Sequence, residues 1–460
     1  MPDLDTSEKT IQDEVESLRV RPRAKAKSGR LPIRSLMRSS IEDINERLRK
    51  GEAVVLTAQE VRESLREDGS APKDVDVVTC GTRGLMSGTY AILSFPVSKP
   101  GTFERASSAS LNGVPAIPGP CPNERLGIVD LMVLGTSVSP DDRRYGAGHL
   151  FRDLADEQGI DVEVKTNEGD QISANVKLEE MKTAKLLATR HAFRNYLAIV
   201  NSGNRAMNSI FHPSVFAPSM SELTFSGCGS LNPIQNDPEL HMIGIGTRVL
   251  VNGAVGYITG TGTRSSPASP NLMMIADMKG MSPEYMGGFQ TSAGPECAVT
   301  WGVAIPVIDD SVRKAISVLD RDIPLPVNDL KDRGRISTAD YGQVWDDVDP
   351  MAKVAKGKCE GCERCDAAEK CPTGAISVSG KVAKIDYHKC FNCGFCTTLC
   401  HHEVFQGRIG SVGFEAFGKN WNVPVVCRQS DRVRALKIAK DLKKRLLDGS
   451  FTLTQMVERL

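Results

Sequence analysis

The chain has 460 residues and a mass of 49.8 kDa, a length that predicts two or three folding units. Basic and acidic side chains each number 57 and aromatic residues make up 5%, so a nucleic-acid partner is not expected. No apolar run has the roughly 18 residues of a membrane helix and the N-terminus has no export signal, so we expect a cytoplasmic protein without a membrane partner.

Residues 1–38 are predicted to form a disordered basic extension. The segment 19–38 holds eight basic residues and no acidic one, with few large apolar side chains. Such a segment cannot bury enough surface to offset its chain entropy. The alternatives are a solvated tail or an arm that contacts RNA or an acidic partner.

A mixed α/β domain is predicted for residues 39–350. Ser39 or Ser40 can cap a helix over 41–50 that ends at Gly51, and a second helix follows over 57–67. The run VDVVTC (75–80) is typical of a buried strand that enters a glycine-rich turn, GTRGLMSGT. Further short apolar runs alternate with Gly/Pro turns and with helical stretches such as LEEMKTAKLLATRHAF (178–193).

Eight cysteines in two runs predict a two-cluster module over residues 351–408. The runs are Cys359-x2-Cys362-x2-Cys365-x5-Cys371 and Cys390-x2-Cys393-x2-Cys396-x3-Cys400. Two-residue gaps let successive thiolates converge on one cubane, and the fourth cysteine of each run ligates the other cluster. One [4Fe–4S] cluster is therefore assigned to Cys359, Cys362, Cys365 and Cys400. The other is assigned to Cys390, Cys393, Cys396 and Cys371.

This segment resembles a bacterial-type two-cluster ferredoxin of α+β fold, with two departures. Five residues precede Cys371 where three are usual, and His401 stands where proline is customary. The alternative is a zinc ribbon, which needs two CxxC pairs and not two CxxCxxC triplets with a trailing fourth cysteine. Clusters of this kind pass single electrons.

Residues 409–460 are predicted to form a strand and a helix. VPVVC (423–427) is typical of a strand, and an amphipathic helix follows with Ser430 as a plausible N-cap and Gly449 at its end. Cys427 lies in the apolar strand and is expected to be an inert packing residue.

Four cysteines remain as candidates for chemistry: Cys80, Cys121, Cys228 and Cys297. Each is flanked by Gly, Pro, Ser or Thr, a pattern typical of strand ends and turns that face ligands. Nearby Arg83 and Arg125 could lower a thiol pKa. Inert packing is the alternative for each one, and a further cluster held by some of the four is another.

The chain resembles the homocysteine-biosynthesis family, also described as L-aspartate semialdehyde sulfurtransferases. The segments that carry the resemblance include VVTCGTRGLMSGT, GCGSLNPIQNDP, IGIGTRVLVNG and the C-terminal SDRVRALKIAKDLKKRLLDG. They span 39–350 and 409–460, which makes the ferredoxin-like module an insertion. TRGLMSGT, GPCPNERLG and the built-in clusters are most similar to the methanogenesis marker protein sixteen subgroup of archaeal metalloproteins.

The resemblance implies reductive sulfur insertion, in which an aldehyde, a sulfur donor and two electrons give a thiol. Aspartate semialdehyde would give homocysteine, with electrons from an external donor such as a ferredoxin. In the homocysteine group a cysteine follows the Met of the glycine-rich segment, and here that place is Ser87. Either one of Cys80, Cys121, Cys228 and Cys297 has taken the role of this nucleophile, or the substrate differs and is, for example, 7-oxoheptanoate in coenzyme B synthesis. A non-enzymatic electron-transfer or metallocofactor-assembly protein of methanogenesis is the alternative.

Overall fold

The computed structural model describes residues 39–119 and 121–460 and shows a mixed α/β protein with several sheets. The predicted basic extension, 1–38, lies outside the described residues. Within the described ranges, no helix has both the length and the apolar character that a membrane crossing requires.

Strands and helices are numbered in chain order. The first strands are β1 (Val55–Thr57), β2 (Val77–Leu85), β3 (Thr89–Pro96), β4 (Ala106–Leu111), β5 (Val114–Pro118), β6 (Ile128–Leu134), β7 (Ile160–Thr166), β8 (Gln171–Val176), β9 (Thr183–Phe193), β10 (Ala198–Val200), β11 (Leu223–Phe225) and β12 (Arg248–Val251). The later strands are β13 (Ala254–Thr261), β14 (Asn271–Asp277), β15 (Gly287–Thr291), β16 (Gly294–Pro306), β17 (Pro324–Asp329), β18 (Arg335–Asp340), β19 (Lys353–Val354), β20 (Ile376–Ser379), β21 (Val382–Ile385), β22 (Phe405–Gln406), β23 (Ser411–Ala416) and β24 (Lys419–Arg428). The α-helices are α1 (Ile41–Lys50), α2 (Ala58–Asp68), α3 (Ala147–Ala155), α4 (Pro233–Asn236), α5 (Asp310–Ala315), α6 (Gly342–Trp345), α7 (Asp366–Glu369), α8 (Cys396–Leu399) and α9 (Arg432–Leu447).

Two sheets form the body of the protein. The larger has the order β1-β2-β16-β12-β13-β14-β9-β3-β6-β5-β4-β7-β8, with β15 paired to β16, and the smaller has the order β18-β17-β10-β11-β24-β23. Helix α9 packs on β2 and β16 of the larger sheet, while β24 lies parallel to β11 in the smaller one. The last strand and helix therefore tie the two sheets together.

The predicted helix starts are confirmed for α1 and α2 and corrected for α9. Ser40 caps α1 through a capping box, and Gly51 ends it in the left-handed conformation. The cap of α9 is Asp431, not Ser430, because the Asp431 carboxylate accepts the N–H groups of the first turn. Ser430 Oγ instead accepts the N–H of Gly227 at 2.8 Å, so it fixes a loop from another part of the chain.

The helix predicted within 178–193 is wrong, because most of this segment is the strand β9. Ala184, Leu186 and Ala188 are buried at alternate positions, the period of a strand. β9 pairs with β14 on one side and β3 on the other. Pairing on both edges outweighs the helix propensity of its Leu, Ala and Lys residues, which is only tenths of a kcal/mol per residue.

The glycine-rich turn predicted after Cys80 starts later than expected, because β2 runs straight through Gly81 and Gly84 to Leu85 and the chain reverses only at Ser87 and Gly88. Every residue from Val77 to Leu85 pairs with β16. A Cβ at Gly81 would lie 2.1 Å from the carbonyl oxygen of Ala435 in α9. The glycine is therefore there for the close approach of a helix to the sheet, not for a turn.

Gly81→Ala is expected to destabilise the protein by about 3 kcal/mol, since α9 must move away from β2 to make room for the methyl group. The melting temperature of the anaerobically purified protein measures the loss. Gly413→Ala is the matched control, because Gly413 also lies in a strand and its Cβ would have no neighbour closer than 3.6 Å. Equal melting temperatures for the two variants would contradict this account of Gly81.

The chain between β18 and β23 holds a small cysteine-rich unit with its own core. Two short antiparallel pairs, β19 with β22 and β20 with β21, frame it. Its buried residues include Ala367, Ala375, Ile385, Tyr387 and Phe405. The unit is attached to both sheets by main-chain hydrogen bonds: Gln290 N–H in β15 donates to Pro372 O at 2.7 Å, and Arg428 N–H in β24 donates to Cys393 O at 2.9 Å.

Candidate functional site

Four thiols lie together where the cysteine-rich unit meets the sheet: Cys371, Cys390, Cys393 and Cys396. Burial, reinforced by the neighbouring Cys393 thiol, raises the pKa of the other three, to about 12 at Cys390. Backbone N–H groups point at the sulfurs, with Ala375 N–H 3.3 Å from Cys371 Sγ and Asn392 N–H 3.4 Å from Cys390 Sγ. N–H donors of this kind stabilise the thiolates that hold iron–sulfur clusters, so these four residues fit such a group.

The other four cysteines of the two runs lie on the outer part of the unit. Cys359, Cys365 and Cys400 are partly buried against its core, whereas Cys362 is exposed. No described set of three or more His, Cys, Asp or Glu side chains is grouped tightly enough for a single metal ion.

Cys393 is buried in an apolar cluster that belongs partly to the sheet. Its partners include Phe289 of β15, Ala298 of β16 and Cys427 of β24. Cys427 is fully buried and its thiol contacts Cys393, which raises the pKa of Cys393. The packing role predicted for Cys427 agrees with its burial, but no sequence signal indicated that it packs against a predicted cluster ligand.

Asp431 connects the Cys390–Cys393 loop to β2 and α9. Its fully buried carboxylate accepts Asn392 Nδ2 at 3.0 Å and pairs with Arg434 at 2.9 Å and with Arg83 at 3.5 Å. The guanidinium of Arg83 lies 5.2 Å from the ring centroid of Phe391 in the same loop. Because side chains alternate along a strand, Arg83 faces this loop while Cys80 faces the opposite side. The charge of Arg83 opposes the rise in the pKa of Cys297, whereas it does not act on Cys80.

Three of the four remaining candidate cysteines lie along β2, on the face away from the cysteine-rich unit. Cys80 is inside β2, opposite Val303 of β16. The thiol of Cys228 donates to the carbonyl of Arg83 at 3.7 Å, and the carbonyl of Cys297 accepts the N–H of Met86 at 2.7 Å.

Cys121 lies apart from these three, in an exposed turn after β5. The guanidinium of Arg125, which the sequence placed near this thiol, pairs with Glu104. Cys80 and Cys297 are in the interiors of strands and not in turns as predicted, because β2 and β16 are buried on both faces. Of the four cysteines, Cys121 and Cys228 are the two outside regular strands.

The three buried thiols differ in how strongly their surroundings oppose ionisation. Burial raises the pKa of Cys80 well above its usual value and that of Cys297 to about 12. Burial also raises the pKa of Cys228, but the hydroxyl of Thr82 and the charge of Arg432 oppose the effect. Cys228 stands between Gly227 and Gly229, both with positive φ, in a loop that regular pairing does not fix. It is therefore the thiol best suited to chemistry.

A second polar group lies at the reversal between β2 and β3. Glu296 is 7% exposed, and its Oε2 has no hydrogen-bond partner among the described groups. Burial raises the pKa of Glu296, although Ser87 and the charge of Arg190 oppose this. A Cβ at Gly88 would lie 2.5 Å from Thr189 Oγ1 and 3.3 Å from the backbone of Arg190, so the reversal is held tightly against β9. Sequence reasoning missed Glu296 and Arg190, although Glu296 adjoins Cys297.

Asp320 holds the loop that carries Cys228. One of its oxygens accepts the N–H of Ser230 at 2.8 Å, and the other pairs with Arg432 at 2.9 Å and with Arg62. Burial alone would raise the pKa of Asp320, but the two guanidinium groups and the amide lower it overall. The carboxylate therefore stays charged in the folded protein.

Asp320→Asn is expected to destabilise the protein by about 3 kcal/mol, since it leaves two buried guanidinium groups without a counter-ion. The pKa of Asp320 is lower in the folded protein than in the unfolded chain, so its contribution to stability is complete above the unfolded pKa of about 3.9. This contribution is lost only as the pH falls through the folded pKa. The difference in melting temperature should thus stay constant from about pH 5 to 8.

The matched control for Asp320 is Asp310→Asn, which breaks a pair with Arg313 whose carboxylate is 73% exposed. This exposed pair should contribute less than about 1 kcal/mol. A melting-temperature difference for Asp320→Asn that shrinks between pH 8 and 5 would contradict the depressed pKa.

Comparison with known proteins gives one family and several relatives. Residues 53–453 match the family model described as "Homocysteine biosynthesis enzyme, sulfur-incorporation". An uncharacterized protein of Methanothermobacter thermautotrophicus is 44% identical over 415 residues, 89% of this chain and 94% of its own. The L-aspartate semialdehyde sulfurtransferase of Methanocaldococcus jannaschii is 30% identical over 326 residues, 66% of this chain and 62% of its own.

A shorter match concerns a different class of protein. One subunit of the ion-translocating oxidoreductase complex of Methanosarcina acetivorans is 40% identical over 62 residues, 14% of this chain and 22% of its own. Partial matches to oxidoreductase subunits of this kind suggest a ferredoxin-type iron–sulfur segment. No solved structure matches the chain.

Proposed function

The chain belongs to the homocysteine-biosynthesis family of sulfur-incorporating enzymes, and from this premise we propose that it converts an aldehyde to a thiol by reductive sulfur insertion. With sulfide as donor the balance is R–CHO + H₂S + 2 e⁻ + 2 H⁺ → R–CH₂–SH + H₂O. The observation that carries the proposal is that Cys228 and the loop of Cys393 lie on opposite faces of the same strands.

The module over 351–408 is proposed to bind two [4Fe–4S] clusters through its eight cysteines. Cys371, Cys390, Cys393 and Cys396 would hold the one beside the sheet, and Cys359, Cys362, Cys365 and Cys400 the outer one. When bound, the clusters supply single electrons. Because the inner set contacts β16 and β24, it is the nearer one to the thiols along β2. The outer set, with the exposed Cys362, is suited to an external donor such as a ferredoxin.

When the donor is a persulfide R′–S–SH, Cys228 is proposed to take its terminal sulfur, Cys–SH + R′–S–SH → Cys–S–SH + R′–SH, and to carry that sulfur as a persulfide. The terminal sulfur attacks the aldehyde carbon to give an adduct Cys–S–S–CH(OH)–R. Two electrons and two protons cleave the S–S bond and return the Cys228 thiol, and a further two of each convert HS–CH(OH)–R to the thiol and water. A persulfide thus requires four electrons where sulfide requires two. Both flanking glycines have positive φ, and Ser430 and Asp320 hold the loop that presents this thiol.

Glu296 is proposed to give the proton that lets the aldehyde oxygen leave as water. Its raised pKa keeps the carboxyl protonated to higher pH than usual, and its unpartnered Oε2 is available to a substrate. Ser87, the serine that stands in place of the family's cysteine, opposes the rise in the pKa of this carboxyl. Arg190, close to the same turn, supplies a positive charge suited to a substrate carboxylate.

Glu296→Gln is expected to lower kcat by about 10²–10⁴ because the amide cannot donate the proton. In the wild type, activity should fall as pH rises through the raised pKa of Glu296, and this decline should be absent in the variant. The buried Glu124, in the turn after β5, gives the control variant Glu124→Gln. An unchanged pH profile in Glu296→Gln would exclude it as the acid.

The proposed function is tested with the anaerobically reconstituted protein, sulfide, a chemical reductant and one of two aldehydes. L-aspartate semialdehyde and 7-oxoheptanoate are offered separately, and the thiol product is measured with a disulfide reagent. Conversion of one aldehyde identifies the substrate class. If neither is converted while the clusters are reduced and reoxidised normally, the electron-transfer alternative replaces the proposal.

A further inference from the structure

A cleft of about 690 Å³ lies between helix α3 and the loop that follows Cys371. Its volume is in the range of roughly 300–1,000 Å³ that small-molecule sites occupy. No cysteine lines it, so it is neither a cluster site nor the thiol face of β2. Nothing in the proposed sulfur transfer uses this cleft.

One wall of the cleft holds polar groups without partners. The guanidinium of the half-buried Arg152 makes no hydrogen bond or ion pair within 4.0 Å to any described residue. Gln290 Oε1, in β15, is buried and likewise has no partner among the described groups. Unpaired buried donors and acceptors are costly, so the Arg152 guanidinium is suited to a ligand carboxylate and the Gln290 carbonyl oxygen to a ligand donor such as an ammonium group.

The helix that carries Arg152 also offers a carboxylate to the cleft, that of Asp153. The hydroxyl of Tyr145 donates to Asp153 Oδ2 at 2.6 Å and accepts Asn112 Nδ2 at 3.2 Å, which holds that oxygen in place. Among the described residues Asp153 Oδ1 accepts no hydrogen bond, and it is therefore available to an ammonium group. Arg152 and Asp153 are neighbours on α3, so one helix presents both charges to the cleft.

The charges around the cleft are balanced. Its cations and its carboxylates each number three: Arg144, Arg152, Lys389, and Asp142, Asp153, Asp156. His149 adds no charge at neutral pH, because burial lowers its pKa to about 4. A purely anionic or cationic ligand would upset this balance, whereas a ligand with one charge of each sign would not.

We propose that this cleft binds a free α-amino acid, with its carboxylate on Arg152 and its ammonium on Asp153. The ligand would lie against Thr373, whose hydroxyl is 3.8 Å from Cys371 Sγ, and against Gln290, whose N–H donates to Pro372 O. The site is separate from Cys228 and Glu296, and the binding does not depend on the sulfur-transfer reaction. A bound amino acid would therefore contact the loop that carries Cys371, a predicted cluster ligand.

The test is calorimetric titration of the full-length, cluster-loaded protein with glycine and with L-methionine, whose side chains carry no charge. L-methionine methyl ester and N-acetyl-L-methionine each remove one of the two charges. We expect L-methionine to bind and each derivative to bind at least about tenfold more weakly. Absence of binding by both amino acids at millimolar concentration, or equal binding of L-methionine and its derivatives, would overturn the proposal.

Two variants locate the binding in the cleft. Arg152→Gln should weaken L-methionine about tenfold and leave the methyl ester unchanged, since the ester already lacks the carboxylate. Asp153→Asn should show the reverse pattern, with loss for L-methionine and none for the N-acetyl derivative. The exposed neighbour Arg143→Gln, which does not line the cleft, is the control. Wild-type affinity in Arg152→Gln at unchanged iron content and melting temperature would place any binding elsewhere and refute this site.

Discussion

Cys393→Ala is expected to lower the iron content from about eight to about four atoms per chain and to abolish thiol formation from the aldehyde. Cys393 is the buried centre of the inner thiol group, and the apolar cluster around it leaves no space for water to replace the sulfur. Since metal binding is coupled to folding, the melting temperature should also fall. Iron analysis and the electron paramagnetic resonance spectrum of the reduced protein measure the loss.

The matched control is Cys427→Ala, which removes a thiol that contacts Cys393 and is equally buried but lies outside the two runs. This variant should keep about eight iron atoms. Loss of about four in Cys427→Ala would make Cys427 a ligand, and retention of all iron in Cys393→Ala would refute the inner ligand set. Iron analysis of the wild type also tests whether the thiols along β2 hold a further cluster. Such a cluster would raise the iron content above about eight atoms per chain.

Cys228→Ala should lower activity by at least about 10³-fold when sulfur is supplied as a protein-bound persulfide. With free sulfide the same variant should lose less than about tenfold, because sulfide supplies the nucleophile directly. The structural basis is the Cys228 loop, in which Thr82 and Arg432 favour the thiolate more than anything near Cys80 does. Mass spectrometry of the persulfide-treated chain should find one added sulfur atom on Cys228.

The control is Cys297→Ala, a buried thiol of the same β2 face that is fixed within β16. It should retain sulfur loading and activity with both donors, apart from a modest loss of stability from the small cavity. Sulfur found on Cys297 or Cys121 in the wild type, with none on Cys228, would contradict the assignment. Equal losses with both sulfur sources would show that Cys228 acts in another way than as a carrier.

Local sequence signals predicted what depends on local chemistry. Ser40 and Gly51 were found because a capping box and a left-handed glycine involve residues only a few positions apart. The two cysteine runs are readable for the same reason. The mixed α/β class followed from the alternation of short apolar runs with turns, although the strand order of the sheets did not.

The misses all depend on contacts between distant parts of the chain. Gly81 resembled a turn residue because the Ala435 carbonyl that requires it is more than 350 positions away. The sequence predicts Ser430 and not Asp431 as the cap of α9, because the other partners of Asp431, Arg83 and Asn392, cannot be found by spacing. Glu296 has no motif of its own, and its burial beside Ser87 is visible only once β16 is paired.

Strands β2 and β16 form a single layer of backbone between the cysteine-rich unit and the thiols on the other face. Leu85 and Ala298 face the cysteine-rich unit, while Met86 and Cys297, their chain neighbours, face the other side. Electrons can pass such a wall without atomic contact, but small sulfur species cannot. In the proposed reaction this wall separates the sulfur carried on Cys228 from the inner cluster while leaving a path for electrons.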